Sequence, residues 1–292
     1  MSNYVITCCS TVDLSAEKLK ENNIPFACFT FTADGKTYND DYGVSYPIDK
    51  FYEDIKNGMQ PISSQVNVEA YIALFEPILK EGKDVLHLTL SSGISGTINS
   101  AIGAANILND KYENKVHVLD SLCASAGYGL IVMVAKRNQD NGMSLEDNIN
   151  WINENKTKII HWFFSTDLSS FIRGGRISKT AGFFAGALQI CPLMCVSECG
   201  KLEVLEKIRT KKKAIKSVVE KMLEEVGPDY DDVVYISNSA CYEDAKAVAD
   251  LIKETFKNVK SVEIFSIGTV IGTHTGPGTV ATFYIGKKRA VA

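Results

Sequence analysis

Four short polar segments hold the side chains of this 292-residue sequence that are best suited to bind an anion. They combine hydroxyls, arginines and one histidine, which all donate hydrogen bonds to negatively charged oxygens. The segments are Pro61 to Gln65, Ser91 to Thr97, Arg173 to Lys179 and Gly272 to Gly278. Each can alternatively serve local geometry alone, as a helix cap, a tight turn or a solvated loop.

The segment from Ser91 to Thr97 joins a strand-like apolar run to a helical pattern. Small residues at such a junction expose backbone N–H groups at the positive end of a helix dipole, where anions bind favourably. A tight turn would explain its glycines, but it would not require so many hydroxyls. We therefore interpret this segment as a candidate anion site.

The last two segments add positive charge and an imidazole. Arg173 to Lys179 contains two arginines, which offer planar donors to an oxygen anion, and a glycine pair that lets the backbone approach a neighbour closely. Gly272 to Gly278 is predicted to be a rigid turn that presents His274. The other histidines lie in strand-like runs and are interpreted as structural, so His274 is the candidate functional histidine. They are His87, His117 and His161.

These segments must be positioned by an α/β framework. Up to Ser165, apolar strand-like runs alternate with amphipathic helical patterns, which is typical of a parallel sheet covered by helices. The predicted strands are Tyr4 to Cys9, Phe26 to Phe31, Asp84 to Leu90, Val116 to Leu119 and Ile159 to Phe164. Predicted helices cover Asn67 to Glu81 and Thr97 to Lys111, and a further helix begins at Ser144.

The second half of the sequence predicts a mixed sheet covered by helices. Its predicted elements are a hairpin of Pro192 to Val196 and Lys201 to Lys207, helices Lys211 to Glu225 and Tyr242 to Phe256, and strands Val233 to Ser237 and Val262 to Ser266. We therefore expect two domains. The first is a Rossmann-like parallel-sheet α/β domain over residues 1–165, and the second is an α/β domain with a mixed sheet over residues 166–292.

Composition restricts the class of protein. The net charge of -4 gives no overall positive field for nucleic acid or anionic lipid headgroups. The first residues lack the pattern of a secretory signal, and no apolar run approaches the ~20 residues of a membrane-spanning helix. A cytoplasmic protein without stable membrane insertion is expected, with its eight cysteines reduced. Cys191, Cys195 and Cys199 are not interpreted as a metal site, because Pro192 interrupts the helix that would align them.

Taken together, six motifs resemble those of the DegV family over nearly the whole chain. They are Ser10 to Leu14, Ser63 to Gln65, Ser91 to Thr97, Val118 to Ser121, Gly174 to Ser178 and Gly272 to Gly278. Each motif is short, and their shared order and spacing make the resemblance specific. The resemblance implies a monomeric, non-catalytic protein that buries one long-chain fatty acid at the junction of its two domains. It also implies a partner, a fatty acid kinase, which phosphorylates the carboxylate presented to it.

The resemblance further implies which residues bind the ligand. The carboxylate is expected to contact Ser63, Ser64, Ser92, Ser95, Arg176, His274 and Thr275. Arg209 matches a further family arginine, placed at the pocket mouth or on the surface that docks the kinase. No cofactor and no metal are expected. Ser63 and Val66 stand where family members often have threonine and proline, which leaves the preferred acyl chain open.

The physical chemistry of a fatty acid fits these residue types. A carboxylate removed from water needs several donors, which the hydroxyls and the imidazole supply. At ~0.8 kcal/mol per buried CH2, a tail of about fifteen methylenes contributes on the order of 10 kcal/mol before the costs of association. Apolar candidates for the tunnel wall are Ile94, Phe163, Phe171, Phe183, Phe184 and Leu188, although a plain helix core would also explain the last three.

Two other classes of protein remain open. A serine hydrolase would use Ser95 and His274, because Gly93 to Gly96 follows a strand and opens a helix. However, Thr97 occupies the position where the nucleophile elbow requires a small residue. A phosphate-binding transferase would use the same hydroxyl-rich turn, although the glycine-lysine ending of a P-loop is absent from this sequence.

Overall fold

The computed structural model describes residues 3–178 and 190–289. Its strands are β1 (Tyr4–Cys9), β2 (Phe26–Ala27), β3 (Thr30–Ala33), β4 (Lys36–Asn39), β5 (Ile62–Ser64), β6 (Asp84–Thr89), β7 (Val116–Asp120), β8 (Ile159–Ser165), β9 (Ile190–Val196), β10 (Leu202–Arg209), β11 (Val233–Asn238), β12 (Ser261–Ser266) and β13 (Thr279–Ile285). Its helices are α1 (Ala16–Glu21), α2 (Ile48–Lys56), α3 (Val68–Lys80), α4 (Thr97–Lys111), α5 (Ser125–Asp140), α6 (Leu145–Asn155), α7 (Ser169–Arg173), α8 (Lys211–Val226), α9 (Tyr242–Thr255) and α10 (Thr269–Thr275).

A parallel sheet with the order β2-β1-β6-β7 forms the first layer. Its inner strands are almost wholly buried, as expected for apolar runs covered on both faces. Helices α3 and α4 pack against β6 and β7, and α5 packs against β1. The predicted parallel sheet in the first half of the chain is therefore confirmed.

The second sheet is mixed and has the order β10-β9-β8-β13-β11-β12. Only β11 and β12 run parallel to each other, whereas the other neighbours pair antiparallel. Helices α8 and α9 cover one face of this sheet, and α5 contacts the other face through β8, β11 and β13. This arrangement confirms the predicted α/β fold class with a parallel and a mixed sheet.

One strand was assigned to the wrong sheet. The run from Ile159 to Phe164 is expected in the parallel sheet, but β8 pairs antiparallel with β9 and β13 in the mixed sheet. A short apolar run carries no information about its partners, because buried strands in either kind of sheet have the same composition. The domain division at residues 165 and 166 stays a prediction.

A small antiparallel sheet with the order β4-β3-β5 completes the framework. The predicted strand from Phe26 to Phe31 is in fact two strands, β2 and β3, which belong to different sheets. Ser63 and Ser64 lie in β5 and do not cap a helix. The cap of α3 is Asn67, whose side-chain oxygen accepts the amide hydrogen of Ala70 at 2.9 Å.

Several other predicted elements are confirmed. Helix α4 has the predicted bounds, and β9 and β10 form the predicted hairpin. The Ser144 side chain caps α6 by accepting the amide hydrogen of Asp147. None of the helices within residues 3–178 and 190–289 is both long and apolar enough to span a membrane.

Candidate functional site

A cavity of about 670 Å³ lies against one face of the mixed sheet. Its sheet wall is formed by alternate residues of β8 and β13, because successive side chains of a strand point to opposite faces. Residues from α7, α10, β5 and the loop before α4 complete the enclosure. The sheet-wall residues are His161, Phe163, Thr279, Ala281, Phe283, Val196 and Leu202. This volume falls within the range typical of small-molecule sites.

The strand register gives the cavity two ends. Thr279 pairs with Ser165 at one end, and Phe283 pairs with His161 at the other. The four residue-to-residue steps from Thr279 to Phe283 span about 13 Å. Helix α7 follows β8 and α10 precedes β13, so both helices deliver their side chains to the Thr279 end.

The end at Phe283 is apolar towards the cavity. The His161 ring packs edge-to-face on Phe283, with centroids 5.1 Å apart. Its Nε2 accepts the Ala124 amide hydrogen at 3.1 Å, and its Nδ1 lies 2.9 Å from the Ile159 carbonyl oxygen. Burial holds the pKa of His161 well below its usual value. His161 is thus a structural histidine, as predicted, but its neutral ring also forms part of the cavity wall.

The end at Thr279 carries a serine and a histidine. Ser63 Oγ lies 2.7 Å from His274 Nε2. Burial, with the charges of Arg176 and Arg173, lowers the pKa of His274 to about 4, so the ring is neutral at pH 7. In the tautomer with its hydrogen on Nε2, the ring donates to Ser63 and leaves the Ser63 hydroxyl hydrogen for an anion in the cavity.

The position of His274 differs from the predicted one. The segment was expected to be a turn, but His274 lies in the last turn of α10, and Gly276 follows it with φ 63°. Its Nδ1 is buried and has no hydrogen-bond partner in the described part of the chain. A Cβ at Gly174 would lie 2.3 Å from that nitrogen. Glycine is therefore required at residue 174 for the imidazole to occupy this place.

The loop before α4 contributes a hydroxyl to the cavity and packs against the hairpin of β9 and β10. Ser95 lines the cavity, and its Oγ accepts the Thr97 amide hydrogen at 3.2 Å, which leaves its own hydrogen for donation. Ser91 faces away and donates to the Gly200 carbonyl oxygen at 2.8 Å. A Cβ at Gly93 would lie 2.5 Å from the same oxygen. Close contact with the β9–β10 hairpin thus explains this glycine.

Two arginines give the polar end its positive charge. Arg176 is half-buried and clamps the Ile94 carbonyl oxygen through Nε at 3.1 Å and Nη2 at 2.8 Å. Its Nη1 donates to the Gly174 carbonyl oxygen at 2.6 Å. Arg173 is exposed and donates to Ser170 Oγ at 3.1 Å. These acceptors are neutral, so both charges remain available to a ligand anion.

The structure brings most of the predicted site residues together. Ser63, Ser95, Arg176, His274 and Thr275 all line the cavity, as do the tunnel candidates Ile94, Phe163 and Phe171. The other tunnel candidates, Phe183, Phe184 and Leu188, lie outside the described residues.

Three predicted residues lie elsewhere. Ser64 is exposed on β5, and Ser92 is exposed with its amide hydrogen donated to Asp120 Oδ1 at 3.2 Å. Arg209 ends β10 and lines a separate surface depression with Lys207 and Lys213.

Sequence reasoning missed the remaining cavity residues of α10 and all of those of β13. These are Val270, Ile271, Thr273, Thr279, Ala281 and Phe283. The run from Thr279 to Ile285 is rich in β-branched and aromatic residues, so its composition was a usable strand signal. Only the register with β8 shows which of its residues face the cavity.

The geometry around His274 bears on the serine hydrolase alternative. His274 Nε2 is hydrogen-bonded to Ser63 and not to Ser95, and its Nδ1 receives no orienting carboxylate within residues 3–178 and 190–289. A hydrolase of the Ser-His-acid kind requires both contacts. In the same part of the chain, no group of three or more His, Cys, Asp or Glu side chains could hold a metal ion.

The fold and the site together define a class: an α/β protein in which an apolar cavity ends in neutral and cationic donors. The family model described as "uncharacterised protein, DegV family" matches residues 4–287. The chain therefore belongs to the DegV family, and the resemblance noted in the sequence is confirmed.

Known relatives are similar to this protein over nearly the whole chain. A DegV domain-containing protein of Clostridium perfringens is 33% identical over 290 residues, which is 99% of each chain. The structure of a DegV lipid-binding protein of Thermotoga maritima is similar with a TM-score of 0.86 and 27% identity, over 99% of this chain and 100% of that one. A second Thermotoga maritima structure, described as revealing a fatty acid binding function, is similar with a TM-score of 0.84 and 27% identity, over 97% and 99% of the two chains.

Proposed function

We propose that this protein is a cytoplasmic, non-catalytic carrier that binds one long-chain fatty acid and presents its carboxylate to a fatty acid kinase. The observation that carries the proposal is the cavity itself, which is apolar along the sheet and ends at the Ser63–His274 pair. The fatty acid binding described for a similar Thermotoga maritima structure supports the same ligand class. A metal or cofactor has no part in this proposal.

The orientation of the ligand follows from charge and polarity. The carboxylate lies at the Thr279 end, near Ser63, Ser95 and the positive field of the two arginines. The acyl chain runs along Phe163 and Ala281 towards Phe283. Tail burial supplies most of the affinity, whereas the donors fix which end faces the polar residues.

The second part of the proposal is that the protein presents the bound carboxylate to a kinase. The polar end lies near the surface, because Arg173 is exposed and Ile62 at the same cavity is 71% exposed. A carboxylate held there can be reached by a second protein without withdrawing the tail. Arg209 stays the candidate contact for that partner.

Lipid extraction tests the carrier proposal. The protein is purified from its expression host, denatured and extracted with organic solvent, and the extract is analysed by mass spectrometry. We expect about one fatty acid per protein chain. Recovery of no fatty acid, together with no uptake of added oleate, would contradict carrier function.

The kinase proposal needs a separate measurement. Oleate-loaded protein is incubated with a fatty acid kinase and ATP, and acyl phosphate formation is followed. An Arg209→Gln variant should bind oleate normally but support slower phosphorylation. Equal phosphorylation rates for wild type and Arg209→Gln would show that Arg209 is not part of the docking surface.

A further inference from the structure

Two buried carboxylates meet at the start of α10, the helix that carries His274 at its other end. Asp40 Oδ1 accepts the amide hydrogens of Thr269 at 3.0 Å and Val270 at 3.3 Å, and the Thr269 hydroxyl donates to it at 2.7 Å. Asp13 Oδ1 accepts the Gly268 amide hydrogen at 2.9 Å. Both carboxylates therefore hold the first backbone amides of this helix.

The approach of both groups depends on the residue between them. A Cβ at Gly268 would lie 3.0 Å from Asp13 Oδ1 and 3.1 Å from Asp40 Oδ1. The φ of Gly268 is -67°, which any residue can adopt. Space for the two carboxylates, and not backbone freedom, is therefore what favours glycine here, because a Cβ would push them apart by a few tenths of an ångström.

The same carboxylates also form hydrogen bonds with two other segments of the structure. Ser10 Oγ donates to Asp40 Oδ2 at 2.8 Å, which ties in the turn after β1. Asp13 Oδ2 lies 2.5 Å from Ser125 Oγ, at the first residue of α5, and Ser125 also lines the cavity. Asp13 and Ser125 both have left-handed backbones, with φ of 47° and 52°. Such conformations are strained for residues other than glycine and persist only where neighbouring contacts enforce them.

The surroundings of the pair contain no compensating cation in the described part of the chain. The titratable groups that interact with one or both carboxylates are Cys28, Tyr42 and Tyr52, and Cys8 in turn interacts with Tyr42; all four are acids. Burial raises the pKa of Cys28 to about 11 and those of the other three well above their usual values. These four groups are therefore neutral from pH 7 to pH 9.

Desolvation raises the pKa of Asp13 to about 8 and also raises that of Asp40. Asp40 accepts four hydrogen bonds, which favours its charged form. Asp13 has a suitable acceptor for a proton, because Ser125 Oγ can accept from Asp13 and donate to Ser237 Oγ at 3.0 Å. Burial therefore favours the state in which Asp40 is charged and Asp13 is protonated, so that the pair carries one negative charge.

We propose that Asp40 and Asp13 are positioning residues for the carboxylate site, and that Asp13 acts in its neutral form. They fix the start of α10, so that His274 at its end keeps its hydrogen bond to Ser63. Ionisation of Asp13 adds a second buried anion beside Asp40 and loosens this support. The inference deepens the proposed fatty acid binding and rests on it.

The test compares wild type with Asp13→Asn and Asp13→Ala between pH 7 and 9.5. Asparagine matches the neutral acid, because its amide donates to Ser125 and its oxygen accepts from Gly268. If only the neutral form binds, a pKa of about 8 predicts a roughly thirtyfold loss of oleate affinity for wild type at pH 9.5. Asp13→Asn should show no such loss, and Asp13→Ala should bind weakly throughout.

A second readout works without ligand. The NMR shifts of the His274 ring nitrogens should change with an apparent pKa near 8 in wild type and stay constant in Asp13→Asn. The inference would be overturned if neither the oleate affinity nor the His274 ring shifts of wild type changed with pH. It would also be overturned if Asp13→Asn lost oleate affinity with rising pH as wild type does. If wild type binds no oleate at pH 7, the proposed function fails, and the ring titration alone decides the positioning role.

Discussion

Replacement of Ser63 by alanine tests the polar end of the cavity most directly. The hydroxyl lies 2.7 Å from His274 Nε2, and in the tautomer with the ring hydrogen on Nε2 it can donate its own hydrogen into the cavity. A hydrogen bond to a charged group contributes about 1.5–3 kcal/mol, so Ser63→Ala should weaken oleate binding by roughly 10- to 150-fold. Tail burial, on the order of 10 kcal/mol, is untouched, so measurable binding should remain.

The assay compares two ligands and two variants. Oleate and oleyl alcohol share the tail but differ in the charged head, so Ser63→Ala should affect the acid far more than the alcohol. Ser64→Ala is the matched control, because Ser64 is exposed on the same strand and lies outside the cavity lining. An equal loss for both ligands, or an equal loss in Ser64→Ala, would refute the assignment of Ser63 as the head-group donor.

Three further outcomes follow from the site. His274→Ala should slow phosphorylation of the bound lipid by a kinase more than it reduces lipid uptake, and equal losses in the two assays would contradict this division of roles. Gly174→Ala should displace the His274 ring and lower oleate affinity at least tenfold, visible as altered ring-nitrogen NMR shifts; unchanged shifts would contradict the close contact. The folded-state pKa of Asp13, about 8, lies above the value of about 3.9 expected in the unfolded chain, so wild type should lose stability as pH rises from 5 to 8. Relative to Asp13→Asn, that loss should be about 1 kcal/mol per pH unit in urea unfolding, and parallel stability curves would contradict the raised pKa.

Local signals in the sequence predicted the individual elements well. Thr97 to Lys111 was bounded correctly because a glycine precedes it and its apolar residues follow the helical period. The run from Ile159 to Phe164 was recognised as a strand but assigned to the wrong sheet, since the pairing of β8 with β13 joins residues more than a hundred positions apart. Such long-range strand pairings are fixed by tertiary packing and cannot be predicted from a local sequence pattern.

The site shows the same contrast. Ser63 and His274 were both singled out by residue type, but their direct hydrogen bond, across 211 positions, could only be seen in the fold. Asp13 lies in a recognised motif, yet nothing in the sequence indicated that it shares the start of α10 with Asp40. Burial decides the protonation of such groups, and burial is a property of the assembled structure.

Helix α5 has consequences for how the protein folds and melts. Ten of its first eleven residues are buried, and it touches β1 of the parallel sheet as well as β8, β11 and β13 of the mixed sheet. Loss of either sheet would expose one side of this helix to water. Proteolysis after residue 165 would leave β8 on one fragment and its neighbours β9 and β13 on the other. The chain should therefore melt in a single cooperative step rather than as two independent halves.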